Sequence, residues 1–448
     1  MNATARGVAL QALVRGGDIT QRLDGELQAA ALAGRDRAFA TELAYGTVKM
    51  RRALAWSVER CSTRPFAAIQ PDLRWALLLG AYQLLYLDRV PAHSAVDESV
   101  SLARTRMGKA AAGFANAVLR KIAASRPLPP PPDARAGAPS LGLAASLPDW
   151  IAAHFIDRFG FEAAVRIAVG LNGPPRRALR VDLARTSVAS VEEEVAEHGG
   201  SARTGSFGIP ECVVVEGESG RQAARGVVRD GKAAWQSEES QLAVHILDPR
   251  PGEIVIDACA GRGVKTMMIA RRLAGSGRIW SLEDDARKLV ALGNAATAAG
   301  LEIVHGLRAN LRHGIPEPVP ERVDAALVDA PCSGLGIIGR RPDARWQKRA
   351  TDPSRFAPLQ ADILTNVAQR VRPGGRLAYV TCSTHPVEND AVVDAFLAKH
   401  RSWRTEAIAV AQSDAVRALG ASIQTLPGID GADGFFYALL RAGESAII

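Results

Sequence analysis

Apolar residues recur at helical spacing through the first 125 residues of the chain. The clearest stretch begins at Leu73, where Leu-Arg-Trp-Ala-Leu-Leu-Leu-Gly-Ala-Tyr-Gln-Leu-Leu-Tyr-Leu keeps apolar side chains in step with the helical period. Pro71 suits the first turn of that helix, and Pro91 interrupts the chain after it. The pattern predicts an all-α domain over residues 1–125, in the form of a small helical bundle.

Proline dominates the segment that follows. Residues 126–140 read Arg-Pro-Leu-Pro-Pro-Pro-Pro-Asp-Ala-Arg-Ala-Gly-Ala-Pro-Ser, which favours polyproline II and opposes a helix or a central strand. We therefore expect a semi-rigid linker over residues 126–145. Residues 146–235 predict a small α/β domain with strands at 178–183 and 212–215, which is either an RNA-binding platform or a connector.

From about residue 236 the pattern changes to short apolar runs that alternate with helical stretches. The runs are continuous, as in buried parallel strands, and lie at 253–257, 278–283, 323–329 and 376–381. A late strand begins near Gly434 in Gly-Phe-Phe-Tyr-Ala-Leu-Leu. Strands that alternate with helices predict a doubly wound α/β domain over residues 236–448.

The positive charge of the chain is concentrated in its first segment. The net charge is +8, and residues 1–125 alone hold 17 lysines and arginines against 10 acidic residues. The rest of the chain is close to balanced. Such a bias suits a surface that binds nucleic acid, and it is equally consistent with a solvated, arginine-rich surface.

Cysteine use and hydropathy restrict the class of protein. The five cysteines, at 61, 212, 259, 332 and 382, are odd in number, widely spaced and without a Cys-x-x-Cys pair. This argues against a disulfide framework and a zinc site, and it favours a reducing cytoplasm. No run of about 18 apolar residues predicts a membrane span, and the first residues lack the apolar stretch of a secretory signal. We expect a cytoplasmic protein that binds neither a membrane nor a metal.

Two of the cysteines directly follow predicted strands. Cys332 lies in Asp329-Ala-Pro-Cys-Ser-Gly and Cys382 lies in Thr381-Cys-Ser-Thr. Open α/β sheets bind ligands at the carboxyl ends of their strands, so both thiols are expected at that edge. A thiol near backbone amides there can act as a thiolate nucleophile. A structural core cysteine is the alternative, but a Pro-Cys-Ser-Gly loop is not a packed core element.

A glycine-bearing turn and an acidic strand end indicate a bound cofactor. The segment Val255-Ile-Asp-Ala-Cys-Ala-Gly-Arg-Gly-Val-Lys-Thr runs from a strand through a turn into a helix, and Gly261 and Gly263 allow close approach of a ligand. Its spacing matches neither the dinucleotide nor the Walker A motif. Glu283 ends the next strand, where a carboxylate accepts hydrogen bonds from the hydroxyls of a ribose.

A basic run follows the first cysteine loop and includes Trp346. Its cationic members are Arg340, Arg341, Arg345, Lys348, Arg349 and Arg355. Only Asp343 and Asp352 oppose them. This mixture predicts contacts with the phosphates of a nucleic acid, with an aromatic ring beside them. A solvated helix face is the weaker alternative, because the run adjoins the reactive loop.

At these residues the chain resembles the Sun-type RNA (cytosine-5) methyltransferases, from about residue 236 to 441. Asp329-Ala-Pro-Cys-Ser-Gly, Thr381-Cys-Ser and Arg340-Arg-Pro-Asp-x-x-Trp match that family, and Trp235-Gln-Ser-Glu-Glu-Ser-Gln-Leu resembles the lead-in to its cofactor loop. The first segment is similar to the NusB antitermination fold, in Phe39-Ala-Thr-Glu-Leu-Ala-Tyr-Gly-Thr-Val and Val90-Pro-Ala-His-Ser-Ala-Val-Asp-Glu-Ser-Val. The resemblance implies a Rossmann-like methyltransferase domain that follows an all-α NusB-like domain and a small α/β domain.

The resemblance also implies a reaction. The methyl donor is S-adenosylmethionine, and the acceptor is a flipped-out cytosine of small-subunit (16S) rRNA. Cys382 attacks carbon 6 of the ring, Cys332 assists elimination and release of the RNA, and Asp329 holds the base or the methionine end of the donor. The resemblance, and not the spacing, assigns the attack to Cys382, since DNA cytosine methyltransferases use the Pro-Cys thiol.

The matched positions define two expected binding sets. The cofactor-binding residues are Asp257, Cys259, Ala260, Gly261, Arg262, Gly263, Val264, Lys265, Glu283, Asn310 and Asp329. The RNA-binding residues are Arg340, Arg341, Arg345, Lys348 and Arg349. We expect the protein to act as a monomer on rRNA.

The cofactor loop departs from the family pattern. The family reads Cys-Ala-Ala-Pro-Gly-Gly-Lys where this chain has Cys259-Ala-Gly-Arg-Gly-Val-Lys, and Asn310 stands where an aspartate near the adenine is expected. Asparagine still hydrogen-bonds adenine, so we expect cofactor binding to survive. Two alternatives stay open: a NusB-like RNA-binding factor with a decayed methyltransferase domain, and an enzyme of the same chemistry that acts on tRNA or large-subunit rRNA.

Overall fold

The chain divides into two compact units. The computed structural model describes residues 4–444. The first unit consists of Met1–Asn172 and Arg340–Lys348, and the second consists of Gly173–Gly339 and Arg349–Ile448. The segment 340–348, which lies within the second unit in sequence, therefore packs with the first.

The described part of the first unit is helical. Its helices are α1 Ala5–Val14, α2 Ile19–Ala29, α3 Gly34–Lys49, α4 Arg51–Cys61, α5 Pro71–Tyr86, α6 Ala92–Met107, α7 Lys109–Ser125, α8 Gly137–Ala144, α9 Asp149–Phe159 and α10 Phe161–Gly170. Apolar side chains of α1 to α7 form one core. Helix α5 is buried on nearly every face, as expected of a central helix in a bundle. The predicted helical bundle is confirmed.

Close packing around α5 depends on one glycine of α3. A Cβ atom on Gly46 would lie 2.0 Å from Cζ of Tyr82, so only glycine lets the two helices approach at this point. The Tyr82 hydroxyl donates a hydrogen bond of 2.5 Å to Glu42, one turn before Gly46. The tyrosine is thus held across the face of α3.

The proline-rich segment is partly helical. Helix α8 begins at Gly137, so the expectation that residues 126–140 form no helix is wrong for the last of them. Pro139 lies in the first turn, where a missing N–H breaks no helical hydrogen bond, and Leu141 is fully buried. The Ser140 hydroxyl also accepts a hydrogen bond from the backbone of Asp133, which ties the helix to the segment before it.

The second unit begins at Gly173, and not at the predicted domain boundary of 146, and its first sheet is small and antiparallel. Its strands are β1 Arg177–Val181, β2 Ser201–Thr204, β3 Cys212–Glu216 and β4 Ala233–Trp235, in the order β2-β3-β1-β4. Two helices, α11 Val188–Glu197 and α12 Gly217–Arg229, contribute to its core with Leu179 and Val213. The preceding helices α9 and α10 belong to the helical unit.

Within residues 4–444 the main sheet has nine strands. They are β5 Ile254–Ala258, β6 Arg278–Glu283, β7 Val304–Arg308, β8 Val323–Asp329, β9 Val371–Thr381, β10 Trp403–Glu406, β11 Val416–Leu419, β12 Ser422–Thr425 and β13 Phe436–Ala442. The helices of this part are α13 Glu238–Leu247, α14 Val264–Arg272, α15 Ala286–Ala298, α16 Ala344–Gln347, α17 Asp352–Ala368 and α18 Asp390–Lys399, of which α16 lies in the segment that joins the helical unit. The predicted α/β fold is confirmed.

The order of the strands locates the ligand edge. Strands β7, β6, β5, β8 and β9 are adjacent in that order and parallel, whereas β10 to β13 extend the sheet by antiparallel pairing. The chain proceeds outward from β5 in one direction through β6 and in the other through β8. Ligands of doubly wound sheets bind at this reversal, beyond the carboxyl ends of the strands. None of the helices within residues 4–444 is long and apolar enough to cross a membrane.

Candidate active site

Cys332 and Cys382 meet at the carboxyl edge of the main sheet. Strand β8 ends at Asp329 and β9 ends at Thr381, and the two strands are parallel neighbours with Asp329 opposite Val380. The loops that follow bring the two sulfur atoms to 3.2 Å. Both cysteines are free and only partly buried. The structure therefore places the two predicted thiols in direct contact.

The environment of Cys332 keeps its proton in place. The hydrogen bond with Cys382, burial, and the negative charges of Cys382 and Glu388 raise the pKa of Cys332 well above its usual range. The Cys332 thiol is therefore held in its protonated form.

The turn after β5 has the backbone of a ligand-binding loop. Gly261 and Gly263 have φ values of +60° and +85°, and Cys259 also has a positive φ of +60°. A non-glycine residue in this region is strained, and such strain is typical of ligand loops. A Cβ on Gly263 would lie 2.7 Å from Cγ of Leu292, so packing requires glycine there as well. Burial raises the pKa of the Cys259 thiol, which keeps it protonated.

Two of the three positions where this loop departs from the family pattern, Arg262 and Val264, do not disturb it. Arg262 and Val264 are exposed, and the turn is closed by a hydrogen bond from the Gly263 N–H to the Ala260 carbonyl. The Ala260 N–H in turn donates to the carbonyl of Leu282 on β6. The valine that replaces a family glycine begins α14 without burying its side chain.

Glu283 connects the end of β6 to the glycine-bearing loop. Its Oε2 accepts a hydrogen bond of 2.9 Å from the Gly261 N–H, and its Oε1 accepts one of 3.0 Å from the Asp285 N–H. Lys288 lies 3.5 Å from Oε1. A carboxylate has about four acceptor positions, so this one retains capacity for a ribose. Asp285, which follows, caps α15 and is not part of the site.

Asp257 is a fully buried carboxyl group at the end of β5. The Thr266 hydroxyl donates a hydrogen bond of 2.5 Å to its Oδ2, and no group within residues 4–444 hydrogen-bonds to Oδ1. Burial raises the pKa of Asp257 to about 7. A buried acceptor without a partner is costly, so this atom is suited to a donor supplied by a ligand.

Lys265 and Asp329 form a close ion pair beside the cysteines. The Lys265 Nζ lies 2.5 Å from Asp329 Oδ2 and 5.8 Å from the centre of the Phe435 ring. Burial alone would lower the pKa of Lys265, but the charge and hydrogen bond of Asp329 more than offset it, so the pKa is raised. The ammonium thus stays charged and fixes the carboxylate at the end of β8.

Asn310 lies just beyond β7, next to the strand that carries Glu283. It is exposed, and its Oδ1 accepts a hydrogen bond from the Arg312 N–H at the start of a short 3₁₀ turn. The backbone N–H of Ala309 donates to the carbonyl of Glu283, which holds the two strand ends together. The position is compatible with the predicted place beside the cofactor.

The basic run does not act as one surface. Arg345 is fully buried in the helical unit, where its guanidinium donates to the carbonyl oxygens of Lys49, Ser146 and Leu171 and to the amide oxygen of Asn172. The expectation that Arg345 binds RNA is therefore wrong, because the side chain has no exposed surface and both terminal nitrogens of its guanidinium donate within the protein. The other four residues of the expected RNA-binding set keep exposed surface: Arg341 and Arg349 are exposed, and Arg340 and Lys348 are partly exposed.

A buried polar cluster behind the cysteines gives no signal in the sequence. Glu388 accepts hydrogen bonds from the Ser333 N–H, the hydroxyls of Ser333 and Ser383, and the Gln360 side chain. Each serine directly follows one of the two cysteines. The spacing Cys382 to Glu388 offers no periodic signal, and only the fold shows that this glutamate points inward.

Comparison with known proteins identifies the family. The family described as 16S rRNA methyltransferase RsmB/F matches residues 244–441, and the NusB family matches residues 3–124. Ribosomal RNA small subunit methyltransferase B of Thermus thermophilus is 32% identical over 99% of this chain and 98% of its own length. The protein of that name from Vibrio cholerae is 30% identical over 97% of this chain and 96% of its own. The chain belongs to the RsmB/F methyltransferase family.

Solved structures share the fold of this RsmB/F chain. The crystal structure of PH0851 has a TM-score of 0.79 and 23% identity, and the match covers 98% of this chain and 99% of that one. A methyltransferase homolog protein from Pyrococcus horikoshii has a TM-score of 0.57 and 24% identity, over 67% of this chain and 97% of its own. The first match extends the shared fold beyond the methyltransferase region to nearly the full length.

Proposed function

We propose that this RsmB/F chain transfers a methyl group from S-adenosylmethionine to carbon 5 of a cytosine in small-subunit (16S) rRNA. The observation that carries the proposal is the contact between Cys332 and Cys382 at the ligand edge of the sheet, beside the glycine-bearing loop. Covalent addition of a thiol to the ring divides a difficult substitution into easier steps. The relatives named ribosomal RNA small subunit methyltransferase B favour this substrate over tRNA or large-subunit rRNA.

Cys382 is the nucleophile in this proposal. As a thiolate, its sulfur forms a bond to carbon 6, and the electron pair of the double bond between carbons 5 and 6 moves so that carbon 5 becomes nucleophilic. Bound S-adenosylmethionine supplies the activated methyl group that carbon 5 takes. A base then removes the proton from carbon 5, the ring double bond re-forms, and the sulfur leaves as a thiolate. The Cys332 thiol lies beside the leaving sulfur and stabilises it through its retained proton.

Asp329 and Lys265 orient the reactants. The carboxylate lies at the end of β8, three residues before Cys332, where it binds the polar edge of the cytosine or the methionine end of the donor. The ion pair with Lys265 fixes the direction of this carboxylate. A base flipped out of its stack must be held in this way before a thiol can attack it.

The residues of the loop fit S-adenosylmethionine. The unpartnered Oδ1 of Asp257 and the remaining acceptor positions of Glu283 suit a ligand that carries an ammonium group and a ribose. The glycine-bearing turn from Cys259 to Gly263 provides close backbone approach, and Asn310 lies near the strand of Glu283 for the adenine. The exposed Arg262 and Val264 leave this arrangement intact.

RNA contacts come from exposed cations. We assign phosphate contacts to Arg340, Arg341, Lys348 and Arg349, and further electrostatic attraction to the basic helical unit. Phosphate contacts position the strand and raise the rate of association, while the pocket for the flipped base selects the nucleotide. The proposed protein acts as a monomer in the cytoplasm.

Substitution of the two cysteines tests the chemistry. Cys332→Ala should accumulate a covalent protein–RNA adduct, because elimination is slowed after the bond to carbon 6 has formed. Cys382→Ala should form none, since it lacks the attacking sulfur. Denaturing gel electrophoresis with labelled 16S rRNA and S-adenosylmethionine measures the adduct, with Cys61→Ala as the control. Adduct formation by Cys382→Ala would refute the assignment.

Calorimetry distinguishes the enzyme from an RNA-binding factor with a decayed methyltransferase domain. S-adenosylmethionine should bind the wild-type chain, because the loop retains its conformation despite Arg262 and Val264. Asp257→Ala should abolish most of this binding, while Cys61→Ala should leave it unchanged. Absence of binding by the wild-type protein would favour the decayed domain.

A further inference from the structure

Glu388 is buried among uncharged donors that belong to both cysteine loops. Its Oε1 accepts hydrogen bonds from the Ser333 N–H at 2.7 Å and from Gln360 at 3.2 Å. Its Oε2 accepts from the hydroxyls of Ser333 at 2.5 Å and Ser383 at 2.6 Å. Gln360 also donates to the carbonyl of Pro331, so α17 holds the same loop from a second side. All four acceptor positions of the carboxylate are thus filled.

Burial of a carboxylate of this kind opposes folding. Ionised groups lose favourable hydration free energy when they are buried, and hydrogen bonds from neutral donors recover only part of it. An apolar residue would cost less if the position served packing alone. The backbone carbonyl of Glu388 accepts a further hydrogen bond from the Tyr379 hydroxyl of β9, so the residue itself is firmly held.

We propose that Glu388 is a positioning residue of the dithiol site, whose carboxylate ties the Cys332 loop to the Cys382 loop and keeps the two sulfurs in contact. The inference rests on the proposed function, since it explains how the nucleophile and its partner thiol are held together. The two loops follow different strands and are 50 residues apart in sequence, and the serines that Glu388 joins are each adjacent to a cysteine. Loss of the carboxylate therefore frees the loops to separate.

The carboxylate also directs the proton of the pair. The titratable groups that act on Cys332 are Cys382 and Glu388, both in the loop after β9, and Tyr379 of β9 itself. The Lys265 ammonium of α14 interacts electrostatically with Cys382. The negative charge of Glu388 helps to keep Cys332 protonated. Removal of that charge lowers the pKa of Cys332, so the thiol loses its proton at a lower pH.

The first experiment measures the approach of the sulfurs without RNA or a methyl donor. Diamide oxidises the two thiols to a disulfide and takes up their two hydrogens, and peptide mapping by mass spectrometry follows the Cys332–Cys382 bond. Wild type and Glu388→Gln should cross-link at rates within about threefold of each other, because glutamine keeps the bridge, whereas Glu388→Ala should be slower by about tenfold or more. Glu302→Ala, at an exposed position of the same unit, is the matched control.

Should Glu388→Ala fail to fold, the Ser333→Ala, Ser383→Ala double variant removes both hydroxyl donors and leaves the chain otherwise intact. It should also slow the cross-link. Equal cross-linking rates in the wild type and in the folded variants that break the bridge would overturn the positioning role. Because this assay needs no methyl transfer, its failure is distinct from failure of the proposed function, which the cysteine variants and calorimetry test.

The second experiment uses the pH profile of methyl transfer. In Glu388→Gln the alkaline limb of kcat should move to lower pH by about one unit, because a nearby negative charge no longer retains the Cys332 proton. KM for RNA should stay close to the wild-type value. A purely structural role predicts an unchanged profile in this variant, and that result would overturn the electrostatic part of the proposal. Glu302→Gln should keep the wild-type profile.

Discussion

Asp257 shows how one buried carboxyl group can serve both folding and binding. It lies at the end of β5 with no exposed surface, and its hydroxyl partner Thr266 lies in the first turn of α14. Burial disfavours its charged form, so the folded protein retains the proton to a much higher pH than an exposed aspartate would. A ligand that donates a hydrogen bond or brings positive charge would reverse this preference.

The raised pKa of Asp257 predicts a pH-dependent stability. The ordinary pKa is 3.8 and the folded pKa is about 7. The stability that the retained proton contributes is therefore lost as pH rises from about 4, where the unfolded chain releases its proton, to about 7, where the folded protein does. Between pH 5 and pH 8 the wild type should lose on the order of 2 kcal/mol relative to Asp257→Asn, which has no proton to release. Urea unfolding at both pH values measures the difference. Parallel pH curves for the two proteins would contradict the prediction, and the exposed Asp284→Asn serves as the control.

Residue types alone predicted some side chains of the site and misplaced others. Cys332 and Cys382 were recognisable because each follows a continuous apolar run, and the carboxyl ends of such strands share one edge. Arg345 looked like its exposed neighbour Arg341, because burial of one arginine depends on contacts from residues that are distant in sequence. Glu388 gave no signal for the same reason.

At the level of the element, the helical unit depends on the approach of α3 to α5. The ring of Tyr82 occupies the space where a side chain at Gly46 would lie, and this contact involves two helices that the sequence pattern predicts only separately. Cores have little tolerance for added volume, since displaced side chains must leave their preferred rotamers.

Gly46→Ala should destabilise the helical unit. The added methyl group would lie within the Tyr82 ring, so we expect a cost of about 1–3 kcal/mol. Gly113→Ala is the matched control, because this exposed glycine of α7 has no atom near its missing Cβ. Gly113→Ala should stabilise the protein by up to ~1 kcal/mol, because alanine has a higher helix propensity than glycine. Thermal unfolding compares the two, and equal shifts in Tm would contradict the packing argument.

The positions of the strands were easier to predict than their order in the sheet. Buried runs marked β5, β6, β8 and β9 closely, but their order in the sheet depends on how the intervening helices pack, which no single run contains. Helix α8 was missed because the prolines before it dominate the composition, while its own first turn tolerates Pro139.

At the level of the whole molecule, a short segment from the second half of the sequence completes the helical unit. Arg345 supplies donors to backbone carbonyl oxygens at the ends of helices, Trp346 donates to the carbonyl of Val48 at 2.8 Å, and Asp343 accepts from the Ile19 N–H at 3.2 Å. These contacts explain why the motif Arg-Arg-Pro-Asp-x-x-Trp is only partly available to RNA.

Substitutions within the basic run should separate folding from RNA binding. Arg345→Ala should destabilise the protein by at least about 2 kcal/mol, because buried carbonyl oxygens lose their donors. Arg349→Ala should change stability by no more than about 0.5 kcal/mol. It should instead weaken RNA binding, and the slope of log affinity against log salt concentration should fall by about the amount that one phosphate contact contributes. Urea unfolding and filter binding at several salt concentrations measure the two effects. Loss of RNA affinity without loss of stability in Arg345→Ala would restore the original assignment.

The buried guanidinium also limits how this protein can be divided or recombined. A fragment that stops at residue 172 would lack Arg345 and Trp346, and the main-chain oxygens of Val48, Lys49 and Leu171 would lose their donors. Any graft of the helical part onto another enzyme must therefore bring the 340–348 stretch with it or replace what it supplies. The proline-rich segment therefore does not mark a point at which the chain can be cut into two independent parts.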